Sequence, residues 1–303
     1  MSVDAQPEQP LAPHAVSRRT FSPLVYVMWG VIVCLLYFLY QHTFVDLRFH
    51  WDMEDSYYSH GYLVPIISLY FVWRERKALR SAPIKPCIWG YPVLALAVAM
   101  FALGGFLGFG ILYNGSIPIM VAALILILLG WAHFRLLWFP TAFLYAMIPI
   151  PASVTQSLSL QIKLLATEAS VQAARLIGLP MIRDGSYIHF RGDSLLVGEV
   201  CGGLRSIIAL LALGSLAAYV SKSRPWARLL LLVLSAPIAV VSNIARILLL
   251  CVVGYYWSSE TASGTVHDVS GALIFVVAFI LLFSIEALLR WVAPAVDAHG
   301  ECP

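Results

Sequence analysis

The sequence predicts an all-α polytopic membrane protein, and three observations carry that prediction. Of the 303 residues, 60% are hydrophobic and only 12% charged, where a soluble domain carries roughly a quarter charged residues. Mean hydropathy is +0.84. Apolar runs long enough to cross about 30 Å of hydrocarbon recur along the whole chain.

Taken in order, the runs predict about eight transmembrane helices: residues 24–40, 57–73, 89–109, 117–131, 136–150, 204–220, 227–253 and 269–292. The fourth and fifth are short and separated only by "AHFR", so they read either as a tight helical hairpin or as one broken span. The charge distribution decides between these. With eight spans and an inside N-terminus, Arg18, Arg19, Arg74, Arg76, Lys77, Arg80, Lys85, Arg135, Lys222, Arg224, Arg228 and Arg290 fall inside. Only Arg48, Lys163, Arg175, Arg183 and Arg191 fall outside, four of them in one long loop where the positive-inside rule has less force. Merging the two short runs would carry "SKSRPWAR" outside, against that bias.

Residues 1–23 read as a polar, Pro-containing, disordered cytoplasmic tail, 24–292 as a single transmembrane domain, and 293–303 as a second cytoplasmic tail. The first run follows Arg18 and Arg19 without a clear A-x-A cleavage site, which reads as a retained signal anchor. The insertion before the sixth helix, about 151–200, divides in two. Its first half has helix formers of mixed polarity and reads as a helix along the outer interface or against the bundle. Its second half, "RDGSYIHFRGDSLLVGEV", places turn signals around two short β-prone runs and reads as a β-hairpin.

Composition also excludes several function classes. The net charge of +3 comes with no basic face and no aromatic RNA-binding motif, so no nucleic-acid partner is expected. The five cysteines stand singly, without CxxC pairs, which argues against a disulfide framework or a zinc site. No cofactor is expected.

Under this topology three reactive residues arrive at one outer level of the membrane. Cys201 opens the sixth span, Arg246 lies near the outer end of the seventh, and His267 opens the eighth. A lone boundary cysteine is by itself more often structural. Glycines at 202 and 203 would open the thiol to a closely approaching backbone, and a helix N-terminus favours the nucleophilic thiolate. Arg246 is the hardest to explain as scatter, because an arginine in an apolar span costs at least about 2.5 kcal/mol and usually faces a bundle interior or cavity. The alternative is snorkelling to the surface. Asn243 shares its helical face and either hydrogen-bonds substrate or fixes the arginine. His267 offers an imidazole for proton transfer to a thiol.

Arg205, four residues after Cys201, reads equally as a clamp for a substrate carboxylate or as the ion-pair partner of Glu199. The stretch "WDMEDSYYSHGYLVP" brings Asp52, Glu54, Asp55 and His60 to the same outer level. His60 ranks second to His267 as the base, and Trp51, Tyr57 and Tyr58 fit an interfacial aromatic belt.

The stretches "YSHGYLVP", "VGEVCGGLRS", "SNIARI" and "HDVSG", in this order and setting, resemble the exosortase/archaeosortase family over roughly residues 25–290. Gly202 departs from the serine or alanine that many members carry there. The resemblance implies a membrane-embedded cysteine protease/transpeptidase of the bacterial inner membrane, with its site facing the periplasm. Its partners would be membrane lipid and exported proteins bearing a Pro-Glu-Pro-like motif, an apolar helix and a basic tail, often in bacteria that make exopolysaccharide. The family's Cys, Arg and His fall on Cys201, Arg246 and His267. Arg205, or else Arg183 or Arg191, would bind the acidic residue of the motif, and the acyl acceptor is not implied. Two rival readings come from other classes. One is a transporter or flippase whose polar path would continue toward the cytoplasm, and the other is a catalytically silent export chaperone.

Overall fold

The computed structural model describes residues 23–53, 56–198 and 203–294. Every one of the eight apolar runs contains helix. In chain order the helices are α1 (Pro23–Asp52), α2 (Leu63–Arg74), α3 (Arg76–Ser81), α4 (Gly90–Leu107), α5 (Gly110–Leu128), α6 (Trp131–Phe143) and α7 (Ala152–Leu176), followed by a small sheet. After the sheet come α8 (Leu204–Val220), α9 (Pro225–Tyr256), α10 (Ser259–Ser263) and α11 (Thr265–Val292). The chain clusters into two compact units, residues 1–42 and 43–303. α1 is continuous across that boundary, and everything that follows concerns the second unit.

The span count differs from the expected eight. Among the described residues five helices are long and apolar enough to cross a membrane, or six if α6 and α7, bent by 81° where they meet, count as one broken span. The run 57–73 yields only the 12-residue α2 after a 3-10 turn, and α8 has 17 residues. Short helices of this kind are completed by their neighbours rather than by their own length.

Close packing explains the α4–α5 pair. A Cβ on Gly90 would lie 2.5 Å from Ile127 Cγ1, and one on Gly104 would lie 2.5 Å from Tyr113 N. Glycine at both ends of the contact lets the two backbones touch, the usual device where no water drives helices together. The α6–α7 bend has its cause in "IPIP", residues 148–151: a residue preceding proline is pushed to extended backbone, and Ile148 has φ −87°, ψ 124°.

The expected two-stranded hairpin is instead a three-stranded antiparallel sheet: β1 (Ile182–Asp184), β2 (Tyr187–Phe190) and β3 (Asp193–Leu196). β2 pairs Ile182↔His189 on one side and Ile188↔Leu195 on the other. Its inward residues Ile188 and Phe190 join Ala166, Val171, Leu195, Ile247, Leu250 and Cys251 in one apolar cluster, so α7, the sheet and the last third of α9 share a core. A second cluster, with Leu210, Leu231, Ile238, Ala239, Ala278 and Leu282, ties α8, α9 and α11 together lower on α9. Between these two clusters, along α9, stand Asn243 and Arg246.

Candidate active site

At about 1.5 Å per residue a helix crosses the ~30 Å hydrocarbon layer in about twenty residues. Arg246 comes 21 residues after Pro225, the first residue of α9. The arginine thus lies in the last third of a helix longer than the layer is thick, while remaining 8% exposed. Its charge is taken up by α11. Arg246 Nε–H donates to Ser270 Oγ at 3.2 Å, Nη2–H donates to the His267 carbonyl at 3.1 Å, and Nη2 lies 3.3 Å from His267 Nε2. Ser270 O–H in turn donates to the same carbonyl at 2.9 Å.

Two chemical consequences follow. A guanidinium can only donate, so a contact with His267 Nε2 makes that nitrogen the acceptor and places the ring hydrogen on Nδ1. The described residues supply no acceptor for Arg246 Nη1, so its two N–H groups are available to a ligand. A cavity of about 320 Å³ is lined by Arg205, Ser206, Asn243, Arg246, His267 and, from α11, Gly271, Ala272, Ile274 and Phe275. Among the described residues its polar lining includes two guanidinium side chains and no carboxylate, which is the composition of an anion-stabilising pocket.

The backbone around the cavity is shaped by two glycines. Gly203 precedes α8 with φ +83°, and a Cβ there would stand 2.8 Å from Asn243 Nδ2. The sequence reading gave this glycine an open approach to substrate. The described geometry gives it another duty, a left-handed turn packed on Asn243. A Cβ on Gly271 would meet Arg246 Nη2 at 3.2 Å, so that glycine makes room for the guanidinium.

The structure thus brings together Arg205, Asn243, Arg246 and His267. Cys201 and Glu199, like Glu54 and Asp55, lie outside the described residues; in sequence Cys201 stands three residues before α8. His60 does not line the cavity. Its Nε2–H donates to the Ala146 carbonyl at 3.2 Å, while Trp51 Nε1–H donates to the Met147 carbonyl and Ile150 N–H donates to Tyr58 Oη. These three side chains satisfy backbone groups freed by the α6–α7 break. Asp52 accepts from Arg48 and Tyr62. Neither Arg183 nor Arg191 lines the cavity: Arg183 pairs with Glu168 at 3.0 Å, and Arg191 lies over the Tyr255 ring at 4.1 Å.

Two residues escaped the sequence reading. Ser270 fixes both Arg246 and the His267 carbonyl; its signal was its place in "HDVSG", one turn after His267. Lys163, counted among exposed loop charges, is instead 7% exposed, on a buried stripe of α7 with Thr155, Ser159, Thr167 and Ser170. Ser170 O–H donates to the Ile244 carbonyl of α9, beside Asn243. Among the described residues no three His, Cys, Asp or Glu side chains come together as a metal ion would require.

Compared with known proteins, the family model described as transmembrane exosortase matches residues 51–284, well over half of the chain. Neither the curated proteins nor the solved structures contain a match.

Proposed function

Because the chain belongs to the transmembrane exosortase family, a family of cysteine transpeptidases and proteases acting on exported proteins, we propose that it cleaves a C-terminal sorting signal of the Pro-Glu-Pro type through a thioester on Cys201. The observation that carries the reading is the Arg246–His267 contact at the rim of a cavity that Arg205 and Asn243 complete, at the start of the helix that Cys201 precedes. The protein is a multi-pass membrane protein. The reading further places it in a bacterial inner membrane with this cavity on the periplasmic side.

In this mechanism His267 takes the thiol proton, and the Cys201 thiolate attacks the scissile carbonyl. The tetrahedral oxyanion is met by the two Nη1 hydrogens of Arg246, in a site from which bulk water is largely excluded. The C–N bond then breaks as His267 returns the proton to the leaving amine, leaving a thioester. Water or an amine acceptor, deprotonated by His267, releases the product. With the ring hydrogen on Nδ1, the lone pair that takes and returns the proton is that of Nε2, and Arg246 Nη2 gives up Nε2 at that moment while keeping its bond to the His267 carbonyl. Arg205 supplies a positive charge for the acidic residue of the motif, Asn243 holds the Gly203 turn, and Glu199 stands two residues before the nucleophile as a counter-charge for Arg205.

The test is co-expression with a reporter protein carrying such a signal. Wild type should shorten the reporter and Cys201→Ala should not; equal processing by both would remove Cys201 from the mechanism. A membrane-impermeant thiol reagent should label Cys201 from the periplasmic side, and labelling from the cytoplasmic side alone would overturn the orientation.

A further inference from the structure

β3 is an outer strand of its sheet, and the register shows which of its peptide groups are engaged. Val197 N–H donates to the Ser186 carbonyl at 2.9 Å. The same alternation makes Leu195↔Ile188 and Asp193↔Phe190 the hydrogen-bonded pairs. The peptide groups of Ser194 and Leu196 therefore point away from β2. Ser194 N–H turns onto Asp193 Oδ1. For the N–H and C=O of Leu196 no described residue supplies a partner.

Bare strand edges invite another strand, and proteins normally blunt them with proline, lysine or inward charge. The sequence Asp193-Ser194-Leu195-Leu196 carries only one charge, and that carboxylate is engaged by Ser259 N–H of α10 at 3.1 Å. Beside β3 is a slot lined by Leu195, Leu196 and Val197, by Ile247 and Leu250 of α9, and by Ser263 and His267. The far wall carries the histidine that the proposed mechanism uses. Five residues after Leu196, the chain reaches Cys201.

We infer that the peptide to be cleaved binds as an added β-strand on the edge of β3 at Leu196, in the slot between that edge and His267. Backbone pairing would hold the peptide in register independently of most of its side chains, the usual economy of strand addition. In the structure the slot holds about 20 Å³, the room of a single water. Admitting the strand requires α10, a five-residue helix tied to β3 through Asp193, to move aside. The inference rests on the peptidase reading above and adds to it the way the substrate is held.

The experiment removes one backbone donor. Proline is tolerated on an edge strand where the N–H faces outward, so Leu196→Pro deletes the outward N–H while sparing the bonds to β2; Leu196→Ala keeps it. With the same reporter, Leu196→Pro should process at least tenfold more slowly than Leu196→Ala, with an unchanged unfolding temperature. In parallel, a Leu196→Cys, Cys201→Ala double variant is paired with single cysteines stepped through the reporter near its cleavage site. Disulfide yield should alternate with a period of two. A folded Leu196→Pro variant that processes normally, or a yield without that period, overturns strand addition while leaving the peptidase reading intact. A wild type that never shortens the reporter overturns both.

Discussion

Two clusters in this molecule each present a histidine beside aromatic or cationic neighbours near a helix end, and they use it in opposite ways. Around the α6–α7 bend, Trp51, Tyr58 and His60 all bind backbone: His60 Nε2–H is a donor to a carbonyl. Around α9 and α11, His267 Nε2 faces a guanidinium and is an acceptor, and the arginine that meets it keeps two N–H groups free in a cavity. The first cluster repairs a break in a helix that lipid would not tolerate. The second holds a buried charge whose hydrogen-bonding capacity the described residues only partly meet. A polar group whose partners are all backbone is structural. One whose partners stop short of its capacity, at the edge of a cavity, is chemical.

The widest gap between the clusters should appear in processing of a sorting-signal reporter. His267→Gln and Arg246→Lys are expected to lower the rate by about 10²–10⁴, the range for losing a general acid–base or an oxyanion donor. Lysine keeps the charge but cannot reproduce the fork onto Ser270 and His267. His60→Gln should leave the rate within a fewfold of wild type. If His60→Gln is the more damaging of the two histidine changes, the comparison is reversed and His60 is the base.

A smaller effect is expected at Gly203. Gly203→Ala forces a side chain into a left-handed turn, at about 1–2 kcal/mol, and drives its Cβ against Asn243. Processing should fall roughly tenfold, and Asn243→Ala in the same chain should recover the steric part but not the conformational part. Full recovery would mean that the turn itself is unstrained. Next in size, Tyr58→Phe should cost about 1 kcal/mol, for an Ile150 N–H left without its acceptor. It should lower the unfolding temperature in detergent without altering the processing rate of the folded protein.

How legible each part was in the sequence follows from the same contrast. α8 matches its apolar run because a glycine and a polar "SK" bound it. α5 begins seven residues before its run because Asn114, polar in "GILYNGS", is buried and donates to Asp46 at 2.9 Å. That partner lies 68 residues away, where no hydropathy window reaches. β1 is three residues, two of them charged and running straight into the Asp-Gly turn, too little pattern to show a third strand. Arg246 stood out because a charge in an apolar span is costly wherever it goes, and His267 through its place at the head of the next span. Ser270 was invisible because a serine in a membrane helix is ordinary; Lys163 misled because a lysine in a mixed-polarity helix looks like a surface charge until the packing face is known.

The smallest expected effect concerns the sheet, and it separates the outer layer from both clusters. Ser259 and then Ser194 donate to the Asp193 carboxylate and hold it below its usual pKa, outside the membrane-spanning helices. A carboxylate depressed in the folded state stabilises it fully above the unfolded value of about 3.9, and that contribution is lost as pH falls through the folded value. Between pH 5 and 8 the α10–β3 contact should therefore be insensitive to pH, and it should loosen only in acid. An Asp193→Asn variant keeps an acceptor but has no proton to gain, so its unfolding temperature should show a shallower acid decline than wild type. Identical acid profiles would mean that the Ser259 bond contributes nothing. α10 would then be held in place by apolar packing, that of the buried Ala262 included.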